Sequence, residues 1–157
     1  MPKTANNPTG GCMCGSVRFE AAGAPSRVLH CHCRSCRAHT GAPMATLAVF
    51  KADQVNFSGD ERKAYQSAPG VDRAFCANCG TSLTWETVFG DEGALCAVHI
   101  SSFDDPEALM PTAHSFYSER ILWFDVADHL PRHEGFVAGS EPVCHGPAMV
   151  EPPGSRS

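Results

Sequence analysis

Gly10-Gly11-Cys12-Met13-Cys14-Gly15-Ser16-Val17-Arg18-Phe19 sets two thiols in a C-x-C knuckle between glycines and runs straight into an alternating segment. A C-x-C or C-x-x-C knuckle aims two sulfurs at one point, and glycine lets the backbone curl around them. Val17 and Phe19 alternate with Arg18 and Glu20, the period of a strand with one buried face. The same theme returns at Cys76-Ala77-Asn78-Cys79-Gly80, a C-x-x-C knuckle. Two such pairs supply the four ligands of a closed tetrahedral zinc site. The pattern predicts opposed β-hairpins meeting at a metal on Cys12, Cys14, Cys76 and Cys79. Such a site joins distant segments and exposes no coordination position.

A third cluster, Cys31-His32-Cys33-Arg34-Ser35-Cys36-Arg37, differs in count. Three thiols fill three positions of a second zinc and leave a fourth for water or a thiol, which is the pattern of a chemical site. The alternative is a second closed site completed by His30, His32, His39 or a distant histidine. With three ligands, the second metal is expected to be held less tightly and to be partly occupied. Arg34 and Arg37 flank the triad and are candidates to hold the carboxylates of an anionic substrate; the alternative is solvated surface cations. His99 and His114 are candidates for acid–base work, weighed against buried strand histidines. Trp85 and Phe103 are weighed as pocket walls against core packing, Cys96 reads as a core residue, and Cys144 as an idle thiol.

The chain has 157 residues and 43% hydrophobic content, enough for one domain with a moderate core, and its 14 Gly and 12 Pro indicate short elements and many turns. Its nine cysteines are an odd number, and C-x-C pairs rarely bridge locally, so a metal framework is expected in place of disulfides. The formal net charge of −5 and the lack of a basic run argue against a nucleic-acid partner. Met1 to Gly11 lacks the apolar core of a signal peptide, and no stretch is long enough to cross a bilayer, so no membrane partner and a cytoplasmic address are expected. The expected organisation is a flexible start over 1–8, one domain over 9–136, and a flexible Pro/Gly-rich tail over 137–157.

Alternation and β-branched runs predict strands near 26–30, 44–50, 53–57, 63–66, 73–76, 81–87 and 94–100, with a turn at Gly59-Asp60. Extended segments are expected at 112–117 and 121–124. Asp104 and Asp105 before Pro106 predict one short helix, because Pro111 follows.

These cysteine motifs resemble those of the glutathione-dependent formaldehyde-activating family, also called the centromere protein V family. The likeness runs from about residue 9 to 135, with all seven clustered cysteines in register. Phe103-Asp104-Asp105-Pro106 and Ala127-Asp128-His129-Leu130-Pro131 are similar to the family's later landmarks. The resemblance implies a mainly β fold, a zinc-pinned β-tent of antiparallel sheets. It implies structural zinc on Cys12, Cys14, Cys76 and Cys79 and a second zinc on Cys31, Cys33 and Cys36. It also implies a carbon–sulfur lyase activity, the condensation of glutathione with formaldehyde to S-hydroxymethylglutathione. The competing expectation is a non-catalytic binding module held together by zinc.

Overall fold

The computed structural model describes residues 7–146. The outer parts of the two expected flexible ends, residues 1–6 and 147–157, lie outside the described residues. Among the described residues the strands are β1 (Thr9–Gly11), β2 (Val17–Ala21), β3 (Arg27–Cys31), β4 (Ala45–Lys51), β5 (Val55–Gly59), β6 (Arg62–Ala68), β7 (Val71–Cys76), β8 (Ser82–Val88), β9 (Ala94–His99), β10 (Ala113–Ser115), β11 (Pro131–Arg132) and β12 (Cys144–His145), and the one α-helix there, α1, is Arg34–Thr40. The fold is mainly β, as the alternation predicts. Two compact units share the chain. The first comprises residues 7–29 and 46–111 of the described chain, the second residues 30–45 and 112–146.

In the first unit β1, β2 and β5 form one antiparallel sheet, with Val17 opposite Gly59 and Ala21 opposite Val55. Val17, Phe19 and Ala21 are buried while Arg18 and Glu20 face water, which is the alternation read from the sequence. Strands β4, β9, β8, β7 and β6 form an antiparallel run in that order. The middle of β4 and β9 is buried on both faces, which explains their continuous apolar sequences. Phe19, Phe50, Val98 and Phe103 anchor the core, with Phe103 edge-on to Phe19 at 5.0 Å between ring centres. Phe103 is therefore core packing, Trp85 is half-buried, and Cys96 lies in the same core. Burial, then the charge of Glu86, pushes the Cys96 thiol up to about 12. Gly59 sits at φ +84°, and a β-carbon there would lie 2.1 Å from the Ser16 carbonyl oxygen. Only glycine lets β5 close against the first cysteine knuckle.

The second unit holds α1, β10, β11, β12 and the end of β3, where His30 and Cys31 run beside β10. Here β10 and β11 pair in parallel, a departure from the all-antiparallel expectation. The connection over 116–130 permits it, since a parallel crossover needs about a dozen residues. Within the tail, β12 pairs with β11 and places the half-buried Cys144 opposite Arg132.

Two local expectations need correction. The α-helix is not at Pro106, where a single 3-10 turn spans Pro106–Ala108 and Asp105 makes no side-chain cap. Asp104 is held elsewhere, accepting from Arg18 Nη1 at 3.0 Å and from Thr9 Oγ1 at 2.7 Å. The helix forms instead over Arg34–Thr40, inside the cysteine triad. Finally, Ile121–Phe124 is a turn closed by Phe124 N–H donating to Ile121 O at 3.0 Å, so it is not extended. Among the described residues no helix is long and apolar enough to cross a membrane.

Candidate metal centres

The first cluster stands on two hairpin turns of the first unit. In the β1–β2 turn, Gly15 N–H donates to Cys12 O at 3.0 Å and Cys12 N–H to Val17 O at 3.0 Å. In the β7–β8 turn, Gly80 N–H donates to Cys76 O at 2.9 Å and Cys76 N–H to Thr81 O at 3.0 Å. Gly15 and Gly80 both sit in left-handed backbone, φ +79° and +76°. The two knuckles are thus near copies, each reversing just after its second sulfur. All four sulfurs lie within 4.8 Å of one another. The Cys12–Cys14 and Cys14–Cys76 sulfurs are 3.5 and 3.8 Å apart. A tetrahedron of sulfurs at about 2.3 Å from zinc has edges of about 3.8 Å. Donor type, number and spacing therefore fit the ion.

The surroundings favour thiolate at Cys14 and Cys79. Val17 N–H donates to Cys12 Sγ at 3.3 Å, and Asn78 Nδ2 to Cys14 Sγ at 3.3 Å. The Ser16 hydroxyl lies 3.1 Å from Cys14 Sγ, and the Thr81 hydroxyl 3.0 Å from Cys79 Sγ. Hydrogen bonds from Ser16 and then Asn78 pull Cys14 down to about 5, and those from Thr81 pull Cys79 to about 7.

The second cluster is built by one short segment of the second unit. β3 delivers Cys31, which is buried. Cys33 is the N-cap of α1, and Cys36 N–H donates to Cys33 Sγ at 3.3 Å. A thiol in place of the usual Ser or Asp caps the helix, which is why the helix start was not legible from residue type. Gly41 ends the helix at φ +69°, its N–H donating to Arg37 O at 2.8 Å. The sulfurs of Cys31, Cys33 and Cys36 lie within 4.8 Å of one another. No histidine or acid among the described residues joins that group. Cys31 and Cys36 are buried, while Cys33 is half-buried and is the member nearest to water. Hydrogen bonding to Cys33 and Cys36, and then burial, hold Cys31 well above the ordinary thiol range. Cys31 thus keeps its proton unless a cation takes it, and three converging sulfurs also fit a thiophilic metal.

The flanking arginines separate. Arg37 donates from Nε to His32 O at 3.0 Å and from Nη2 to Glu119 O at 3.1 Å. It thus joins the carbonyl between Cys31 and Cys33 to the carbonyl of Glu119. Arg34 is exposed, and its backbone N–H, not its guanidinium, reaches Glu119 Oε2 at 2.9 Å. His99 is buried at the end of β9 in the first unit and belongs to neither thiol cluster.

His114 is fully buried on β10 beside the end of β3. Its Nδ1 lies 2.8 Å from His32 Nε2 and its Nε2 3.0 Å from Asp128 Oδ2. His30, His114 and Asp128 form a third group with donor atoms within 4.8 Å. Burial, then the neighbouring His114, pushes His30 and His32 down to about 4. The sequence singled out His114 and the Asp128 landmark separately. It carried no sign that they meet, nor that Arg132, fully buried, backs them.

Comparison with known proteins agrees with the cysteine pattern. Over 74 residues the chain is 30% identical to an uncharacterized lyase of Schizosaccharomyces pombe, covering 47% of this chain and 53% of that protein, so the match spans about half of that relative's length. The crystal structure of a Rhodobacter sphaeroides protein shares the fold, with a TM-score of 0.50 at 20% identity over 61% of this chain and 87% of that one. Residues 7–119 match the family described as glutathione-dependent formaldehyde-activating enzyme, a span that contains both thiol clusters. The chain belongs to the glutathione-dependent formaldehyde-activating enzyme family.

Proposed function

We propose that this protein is a zinc-dependent enzyme of the carbon–sulfur lyase type, joining glutathione or another small thiol to formaldehyde or a related small electrophile. The observation that carries the reading is the convergence of Cys31, Cys33 and Cys36 with no fourth donor in their group among the described residues. Family membership and the lyase name of the half-length relative support it. In this reading the domain is 9–136 and works in the reducing cytoplasm, where thiols stay reduced.

Cys12, Cys14, Cys76 and Cys79 hold the structural zinc and join the β1–β2 turn to the β7–β8 turn. Cys31, Cys33 and Cys36 hold the second. Zinc at the triad would supply a position at which a thiol ligand gives up its proton at neutral pH. The chemistry is an addition: a carbon–sulfur bond forms, the carbonyl π bond opens, and the thiol's proton ends on the former carbonyl oxygen. Cys33, the solvent-reached member, marks the side from which a thiol enters. Arg37 braces the knuckle through His32 and Glu119, and Arg34 is the cation left to read a glutathione carboxylate.

The test is adduct formation between glutathione and formaldehyde, followed by carbon-13 NMR with the zinc-loaded protein. Catalysed formation that Cys33→Ala abolishes is the expected result. An uncatalysed rate with every thiol and aldehyde tried would overturn the reading in favour of a non-catalytic binding module.

A further inference from the structure

His114 carries a chain of buried and half-buried side chains that the proposed reaction leaves unused. Arg132 donates to Asp128 Oδ1 at 2.7 Å from Nη1 and to Val126 O at 3.0 Å from Nη2. Tyr117 donates to Asp125 Oδ2 at 2.5 Å, and Asp125 Oδ1 lies 3.5 Å from Arg132. Asp128 is anchored: burial would raise its pKa, but the hydrogen bonds from His114 and Arg132 outweigh it and hold the carboxyl below its ordinary range. An ionised carboxylate only accepts hydrogen bonds. It therefore fixes the proton of His114 on Nε2, and a neutral imidazole then has an acceptor at Nδ1. Burial keeps His114 neutral against the pull of Asp128. The partner 2.8 Å from that Nδ1 is His32 Nε2, which must donate. His32 is left with a bare Nδ1, and that atom is indeed buried with no hydrogen-bond partner. One carboxylate assigns each proton along the chain.

His32 is the residue between Cys31 and Cys33, and it is fully buried. Its backbone is held as well: its N–H donates to Ser115 O at 3.0 Å and its carbonyl accepts from Arg37 Nε at 3.0 Å. We propose that Arg132, Asp128, His114 and His32 form a clamp that sets the Cys31-x-Cys33 knuckle before metal arrives, with His114 as its positioning residue. This rests on the reading of the triad as the holder of the second metal. The other use of these groups, a third cation site on His30, His114 and Asp128, meets two obstacles. Arg132 already neutralises Asp128, and the Nε2 lone pair of His114 carries a proton.

The experiment is cobalt(II) titration of the metal-free full chain against a competing chelator, with nitrogen-15 histidine NMR of the same samples. Wild type is expected to bind in a tight step and a weaker step, with His32 protonated on Nε2 and bare on Nδ1. His114→Leu should weaken the second step by about 10–100-fold, the usual effect of removing a partner of a ligand-bearing segment, and leave the tight step unchanged. His114→Asn, whose Oδ1 can accept from His32, should recover most of that loss. Should His114→Leu fail to fold, Asp128→Asn is the deciding variant, with weakening of the second step alone as the expected result. Unchanged second-step affinity in the variants, or His32 protonated on Nδ1, overturns the clamp. So does a third metal equivalent lost in His114→Leu, which would make the group a cation site. A missing second step in wild type would instead defeat the reading of the triad, while the NMR signature still judges the clamp.

Discussion

The four-thiol and three-thiol clusters use the same donor atom and differ in how the chain assembles them. Cys14 and Cys76, whose sulfurs are 3.8 Å apart, are 62 residues apart in sequence. Cys33 and Cys36 are 3 apart and joined by a single helical turn. Bringing distant turns together costs chain entropy that a metal offsets only where the chain is folded, so an ion bound at the first cluster would count as folding energy. The triad comes from one short segment, closed locally by Cys36 N–H on Cys33 Sγ and held from outside through His32, whose N–H donates to Ser115 O. In the proposed reading, one donor chemistry serves a staple in one unit and an accessible centre in the other.

The largest effect that comparison predicts is at Cys76, buried at the end of β7. Cys76→Ser should remove the first metal and on the order of 10 kcal/mol of coupled stability, giving unfolded or insoluble protein. Zinc analysis and thermal melting check it, and wild-type values for both would break the assignment. Cys33→Ala should separate the two clusters: the second metal and the activity go, while the melting transition falls by no more than about 1–3 kcal/mol in stability. Global unfolding of Cys33→Ala would make the triad a second staple. A mild chelator should likewise strip one equivalent quickly and leave circular dichroism unchanged, with the other equivalent released only as the fold is lost.

Smaller effects sharpen the division between the arginines. Arg37→Ala removes two hydrogen bonds to backbone carbonyls and should lower activity equally with glutathione and with mercaptoethanol, because it braces the knuckle. Arg34→Ala should raise the KM for glutathione severalfold while leaving kcat and the mercaptoethanol reaction nearly unchanged. The reverse pattern in steady-state kinetics would exchange their roles. The smallest effect is at the half-exposed Arg18–Asp104 pair. The hydrogen bond from Arg18, then that from Thr9, holds Asp104 below its ordinary value. Its contribution is therefore present at neutral pH and lost as pH falls through the lowered pKa. Asp104→Asn should lower Tm by no more than about 2–4 °C at pH 7, and the difference should vanish in acid.

The strands and both thiol clusters were legible because their signals are local: alternation, β-branched runs, and cysteine spacing followed by glycine. Gly15 and Gly80 turn where the knuckles predict, with positive φ. What escaped depends on partners distant in sequence. Asp104 looks like a helix cap but is claimed by Arg18 and Thr9, leaving only a 3-10 turn behind it. α1 is capped by a thiol and is only one polar heptapeptide long, so no apolar period announces it. Arg37 reads as a substrate cation until the carbonyls of His32 and Glu119 are seen at its nitrogens. Nothing in the sequence marks Arg132, which is fully buried and ion-paired to Asp125 and Asp128.

The measurement closest to the central claim is the optical spectrum of the cobalt-substituted protein during titration with glutathione. The account predicts two bound equivalents with thiolate charge-transfer bands, one set unmoved and the other shifting saturably as a further thiolate joins the Cys31, Cys33, Cys36 centre, with Cys33→Ala losing only the shifting set. A single equivalent, or two sets that both ignore glutathione, would contradict it.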